Sequence, residues 1–188
     1  PVPFADEEFM QKVETKIIQP TIQGLQKENI DYKGFVFIGL MKVGDEPYVV
    51  EYNVRMGDPE TEVVMPRIKS DLVELFKLTA KQQLDKAKLI ISDQSAATVM
   101  LVSGGYPEKY QKGKTIQGLE NVDIKKVKLF HAGTKVENNQ VLTNGGRVIA
   151  VTALADNYKL ALEKSYAQIK HLCFEDLYFR KDIGFDLG

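Results

Sequence analysis

Apolar side chains recur every four residues at Phe9, Val13 and Ile17, with Met10 and Ile18 beside them. This spacing predicts a helix over residues 6–18 with one apolar face. Asp6, Glu7 and Glu8 suit its start, where the helix dipole favours negative charge. Pro20 predicts a kink or a restart, and Gly24 a nearby C-terminal turn. The period then changes. Residues 34–42 and 47–53 are near-continuous apolar and β-branched runs joined by Val43-Gly44-Asp45-Glu46, which predicts an antiparallel hairpin. Unbroken runs of this kind predict strands buried on both faces. Ser70 is the expected N-cap of a helix from Asp71 to about Leu84, with Leu72, Leu75, Phe76, Thr79 and Ala80 facing one way.

Near residue 93 the texture shifts to short strands. Residues 96–102, 127–131, 140–142 and 147–152 carry strand patterning, and Asn138-Asn139 reads as a tight turn. A helix is expected from Asp156 to about Leu172, with Tyr158, Leu162, Tyr166, Ile169 and Cys173 on one face. The shift sets an expected boundary near residues 91–95, giving parts 1–92 and 93–188.

Composition narrows the class without naming a function. The chain has 188 residues, 44% hydrophobic and 27% charged, as in ordinary globular proteins. A net charge of −1 gives no electrostatic reason to expect nucleic acid or an anionic membrane as partner. No apolar run approaches the roughly 20 residues needed to span a bilayer. The single cysteine, Cys173, cannot form an internal disulfide and suits a reducing compartment such as the cytoplasm. It reads as a small buried apolar residue near a helix end. The sequence opens without methionine, and its first helix and two strands are too few to close a sheet. The expectation is a segment of a longer protein.

The candidate chemistry lies in Glu51-Tyr52-Asn53-Val54-Arg55-Met56-Gly57-Asp58-Pro59-Glu60-Thr61-Glu62. A strand period of two points Glu51 and Asn53 to one face, where a carboxylate and an amide oxygen are hard ligands suited to Mg²⁺ beside phosphates. Arg55 follows in the same alternation and could hold a phosphoryl or carboxylate oxygen. Gly57-Asp58-Pro59 breaks the strand and sets Asp58 at its mouth. On spacing alone, plain turn chemistry at a strand end remains the commoner reading. Gly104-Gly105 and Gly145-Gly146-Arg147 could bring backbone N–H groups to an anion, the second with an added charge. They lack the spacing of a P-loop, and ordinary turn glycines are the simpler account. His131 reads as a hydrogen-bonded structural histidine and His171 as a favourable residue at a helix end.

The twelve-residue stretch resembles the signature segment of the glycinamide ribonucleotide synthetase family, within the ATP-grasp superfamily. Tyr32-Lys33-Gly34-Phe35 with Ile38-Gly39-Leu40-Met41 is similar to the family's preceding strand. Ser103-Gly104-Gly105-Tyr106-Pro107, His131-Ala132-Gly133-Thr134, Thr143-Asn144-Gly145-Gly146-Arg147-Val148 and Arg180-Lys181-Asp182-Ile183-Gly184 follow in the family's order. The resemblance implies an α+β chain: the C-terminal part of an ATP-grasp domain (1–92), then a small, strand-rich mixed α/β domain (93–188).

It also implies an activity, a phosphoribosylamine–glycine ligase of de novo purine biosynthesis. ATP phosphorylates the glycine carboxylate, and the amine of phosphoribosylamine captures the acyl phosphate. Glu51 and Asn53 fall on the family's ligands for Mg²⁺ (or Mn²⁺). Arg55 falls where ATP-grasp enzymes face the transferred phosphoryl group. Charge and placement suggest that Asp58 meets the glycine ammonium. The strand from Phe35 to Lys42 contains no acid, whereas many ATP-grasp enzymes draw a further metal ligand from that strand. The implied partners are ATP, glycine and phosphoribosylamine, with neither nucleic acid nor membrane, and the segment alone is expected to be inactive. A different ATP-grasp ligase or carboxylase, or a non-catalytic interaction module, are the competing readings.

Overall fold

The computed structural model describes residues 2–187. The described residues divide into two compact units, one comprising residues up to Gly57 with Ser70–Ile90, the other Asp58–Lys69 with Ile91–Asp186.

The first unit opens with a helix whose N-cap, Asp6, accepts a hydrogen bond from the Phe9 amide at 2.8 Å. It comprises α1 (Glu7–Val13), a π-helical stretch (Glu14–Ile18) and α2 (Gln19–Lys27). The restart expected at Pro20 is observed: the Gln19 amide reaches back to the Glu14 carbonyl, five residues earlier, and Pro20 sits at the start of the new α-helical register. A proline lacks an amide to donate, so a change of register ahead of it lets the helix run on. Phe9, Val13 and Ile17 are buried, as their spacing predicts.

Strands β1 (Phe37–Val43) and β2 (Glu46–Asn53) pair antiparallel as an isolated two-stranded sheet. Lys12 and Lys16 both ion-pair with Glu46, fastening the helix to β2. The expectation of strands buried on both faces is overturned. Met41, Tyr48, Val50 and Tyr52 are all more than half exposed. Among the described residues this sheet stops at two strands, and the first helix lies against β2, with Thr21 Oγ1 2.9 Å from Tyr52 Oη. α4 (Leu72–Ala80) completes this unit, and its N-cap is Asp71 rather than Ser70. The Ser70 hydroxyl instead accepts from the Ile90 amide and donates to the Lys88 carbonyl, both at 2.7 Å.

The second unit is built on an antiparallel sheet in the order β4-β7-β3-β8, comprising β3 (Ser95–Ser103), β4 (Val127–His131), β7 (Arg147–Ala155) and β8 (Leu177–Tyr178). A hairpin of β5 (Thr134–Glu137) and β6 (Gln140–Thr143) turns at Asn138-Asn139, whose φ angles of 50° and 60° suit asparagine. α5 (Tyr158–Ile169), capped by Asn157, packs on β3 and β7 through Ala161, Leu162, Ser165 and Ile169. The short α3 (Thr61–Val64) also lies against β3 and β7. Val148 to Val151 are wholly buried, as are Val99 and Leu101, so the core sits on the two central strands. Cys173, expected to be buried, is exposed. The chain is extended there, and alternation buries Leu172 and Phe174 while turning Cys173 outward.

Candidate functional site

The site residues from the sequence fall into both units. At the end of β2, Asn53 Nδ2 donates to Glu51 Oε1 at 3.0 Å, so the two side chains meet on one face of the strand. Space for them comes from β1. Gly39 is paired with Glu51, and a Cβ added at Gly39 would lie 3.0 Å from Glu51 Cγ. A bulge between Gly39 and Leu40 shifts the register beside this pair. Beyond Asn53, Tyr32 Oη lies 2.9 Å from the Val54 carbonyl oxygen and 2.8 Å from that of Phe35, and its one proton serves both. Arg55 is exposed, and Nη1 donates to the Met56 carbonyl at 3.0 Å.

Two adjacent oxygen-bearing side chains fit Mg²⁺ or Mn²⁺ of the kind that keeps several waters and binds substrate phosphates. They would not make a closed protein cage. No group of three or more His, Cys, Asp or Glu able to hold a metal occurs among the described residues.

In the second unit, Asp58 stands beside the first residue of β7. Arg147 Nη1 donates to the Asp58 carbonyl at 2.7 Å, and Nη2 lies 3.6 Å from Asp58 Oδ2. Glu62, in α3, has a buried Oε2 without a hydrogen-bond partner. Burial pushes its carboxyl above the ordinary range, and the charges of Asp58 and Glu60 push the same way, while Arg147 opposes them.

Arg147 itself is placed by its neighbours. Ser103 accounts for two bonds to the turn before it: its amide to the Gly146 carbonyl at 2.8 Å and its hydroxyl to the Gly145 carbonyl at 2.9 Å. On the other side Gly133 donates to the Arg147 carbonyl at 2.8 Å, and Asn144 donates to the Gly133 carbonyl at 2.7 Å. The Tyr106 ring fills the space where a Gly146 Cβ would project, at 2.1 Å from one ring carbon. The three segments 103–107, 131–134 and 143–148, far apart in sequence, thus meet around one turn. His131 is hydrogen-bonded through Nδ1 to Thr134 Oγ1 at 3.1 Å, in keeping with its structural reading.

Sequence reasoning gave Glu62 and Tyr32 no individual role and offered Arg147 only as an added charge at a glycine turn, with ordinary turn glycines as the simpler account. The signal available for Arg147 was its position directly after two glycines; no local spacing marks Glu62.

Two family models cover the chain in succession. The ATP-grasp (A) domain of phosphoribosylglycinamide synthetase matches residues 1–61, and the C domain of the same enzyme matches residues 96–186. The chain belongs to the phosphoribosylglycinamide synthetase family. A phosphoribosylamine–glycine ligase of Fusobacterium nucleatum is 41% identical over 98% of the chain, and the match spans 44% of that relative's length. A bifunctional purine biosynthetic protein of Pichia angusta is 43% identical over 98% of the chain and 23% of its own length. The crystal structure of a phosphoribosylamine–glycine ligase from Thermotoga maritima superposes with a TM-score of 0.81 at 30% identity, over 94% of this chain and 43% of that one. The chain therefore spans under half the length of these relatives. The likeness to this solved ligase, with the match to the ATP-grasp (A) domain model, bears out the expected α+β class. No helix among the described residues is long and apolar enough to cross a membrane.

Proposed function

We propose that this chain is part of an ATP-dependent ligase that joins phosphoribosylamine to glycine in purine biosynthesis. The supporting observation is the pairing of Glu51 and Asn53 on one strand face, with Arg55 two residues further on, inside the stretch that resembles the family's signature. The division of labour falls near residue 92. Residues 1–92 serve as the C-terminal end of an ATP-grasp domain and 93–188 as the synthetase's C-terminal domain. The setting is the cytoplasm; the partners are small molecules, with neither nucleic acid nor membrane among them.

In the reaction a glycine carboxylate oxygen bonds to the γ-phosphorus while the bond to ADP breaks. The amine of phosphoribosylamine then forms the amide as phosphate leaves and the nitrogen gives up a proton. The difficulty is bringing one anion to another, which cationic groups offset. Arg55 supplies a planar guanidinium for the transferred phosphoryl oxygens. Glu51 and Asn53 would hold Mg²⁺ or Mn²⁺, which would supply charge neutralisation at the phosphates. Asp58 meets the glycine ammonium. The 188 residues alone do not turn over, in keeping with a chain that spans under half the length of these relatives.

In the complete ligase carrying this chain, Glu51→Gln should lower kcat by on the order of a hundredfold while changing ATP affinity less. Asn53→Ala should act in the same direction. The measurement is the steady-state rate against Mg²⁺ concentration, with thermal unfolding as control. Variants that saturate with Mg²⁺ like the parent and turn over at its rate would remove both residues from the metal site. A complete protein that binds nucleotide but forms no glycinamide ribonucleotide would point to a different carboxylate–amine ligase.

A further inference from the structure

We infer that Arg147 is a positioning residue for Asp58, setting the loop that receives the amino-acid substrate. The inference rests on the proposed role of Asp58 and extends it to the C-terminal part of the chain. Three observations carry it. Arg147 engages both the main chain and the carboxylate of Asp58, at 2.7 and 3.6 Å, across 89 residues of sequence. A single guanidinium satisfying both fixes where the turn sits and which way its side chain faces. Next, the backbone of Arg147 is held from two sides, by Ser103 at the preceding turn and by Gly133 at its own carbonyl. The β-bulge between Leu101 and Val102, opposite Arg147, is the kind of irregularity that re-aims a side chain at a sheet end. Finally, the tight contacts of Gly146 with the Tyr106 ring and of Gly145 with Gly133 leave no room for side chains there. A turn built to this tolerance, ending in an arginine, is more than a change of direction.

Energetics separate this role from a structural one. The side chains of Arg147 and Asp58 are 38% and 48% exposed. An ion pair so solvated contributes little to stability. Its loss should therefore register in substrate binding and hardly in unfolding.

The test uses the complete ligase and a double-mutant cycle. Arg147→Met should raise the KM for glycine on the order of tenfold, the loss expected of one charge-assisted hydrogen bond, with the KM for ATP nearly unchanged. The Tm should fall by no more than about 3 °C. Arg147→Lys should recover part of the glycine affinity, because an ammonium can serve one of the two acceptors. In an Asp58→Ala background, Arg147→Met should change glycine KM by less than about twofold, since its effect runs through Asp58.

Several outcomes overturn the inference. They are an unchanged glycine KM in an active Arg147→Met enzyme, equal rises for glycine and ATP, or an undiminished effect in the Asp58→Ala background. A rise confined to phosphoribosylamine would instead assign Arg147 to that substrate. If Arg147→Met does not fold, Arg147→Lys carries the same comparison, and an unaltered glycine KM there with the Tm retained overturns it too. An Asp58→Ala enzyme with parental glycine KM removes Asp58, and this inference with it, while the ligase activity itself stands. Absence of product in the unmutated enzyme would count against the ligase reading instead.

Discussion

The two β-structures of this chain have similar apolar strands and opposite fates. In the β1–β2 hairpin, Val49, Val50, Met41 and Val43 are all exposed. In the four-stranded sheet, Val99, Leu101, Val148, Ile149 and Val151 are wholly buried beneath α5 and its neighbours. Apolar runs state that a strand wants cover; they do not say which part of a protein provides it. The sheet carries its cover on the same stretch of chain, since α5 follows β7 directly. The hairpin does not. The first helix lies against β2, with Lys42 Nζ 5.2 Å from the centre of the Phe9 ring and ion pairs from Lys12 and Lys16 to Glu46.

The largest consequence is for core deletions. Ile149→Ala should destabilise the second unit by about 2–4 kcal/mol, from lost burial plus the cavity left behind. Val50→Ala should change the first unit by no more than about 0.5 kcal/mol, because its side chain is already 62% exposed. Urea unfolding read by hydrogen exchange at β7 and β2 amides distinguishes the two units. Comparable losses at both positions would mean that Val50 is covered in solution and that the contrast is false.

Glycines sharpen the same comparison at smaller scale. Gly146→Ala would drive a methyl into the Tyr106 ring, inside a turn fixed on both sides. A cost of about 1–3 kcal/mol is expected for such overpacking. Gly39→Ala meets Glu51 Cγ at 3.0 Å, the stem of a flexible exposed side chain, and the Glu51 backbone only at ordinary contact distance, 3.7 and 3.8 Å. Stability there should move by less than about 0.5 kcal/mol, while the Glu51–Asn53 hydrogen bond is disturbed. Thermal unfolding of both variants, with the Mg²⁺ dependence of the complete Gly39→Ala ligase, checks this. A large stability loss at Gly39 with unaltered Mg²⁺ dependence would show that the hairpin is packed as rigidly as the sheet.

How far the sequence could be read follows the same line. Period-two alternation put Glu51 and Asn53 on one face, and their side chains do meet. Local chemistry marked the Asn138-Asn139 turn, and helical spacing marked Phe9, Val13 and Ile17. The cap moved by one residue, from Ser70 to Asp71, because either side chain can cap and Ser70 found partners at Lys88 and Ile90. β5 escaped notice because Thr134–Glu137 is short and mostly exposed. The Arg147–Asp58 contact was beyond local reading. It joins residues 89 apart, through a turn whose geometry depends on Ser103, Tyr106 and Gly133 together. The roles expected of Glu51, Asn53 and Arg55 came from the family resemblance and that of Asp58 from charge and placement; the structure adds the neighbours around them.

The smallest expected effect tests dense packing against a single charge. Glu62 lies in α3, against β3 and β7, with Oε2 buried and unpaired. Burial foremost, then Asp58 and Glu60, raises its carboxyl pKa in the folded chain above the unfolded value. A carboxyl so raised holds its proton more tightly when folded. Its contribution to stability is therefore present below the unfolded pKa, near 4.3, and is lost as pH rises through the raised folded value. At neutral pH the parent bears the cost of a desolvated carboxylate. Glu62→Gln keeps the shape and carries no charge at any pH. The variant should unfold at a higher temperature than the parent at pH 7, with the difference shrinking as the pH is lowered toward about 4. Thermal unfolding of both proteins at several pH values in that window gives the answer. A difference of constant size across the window, or a less stable variant at pH 7, would show that Glu62 is solvated or paired and that packing around α3 is looser than around the sheet it covers.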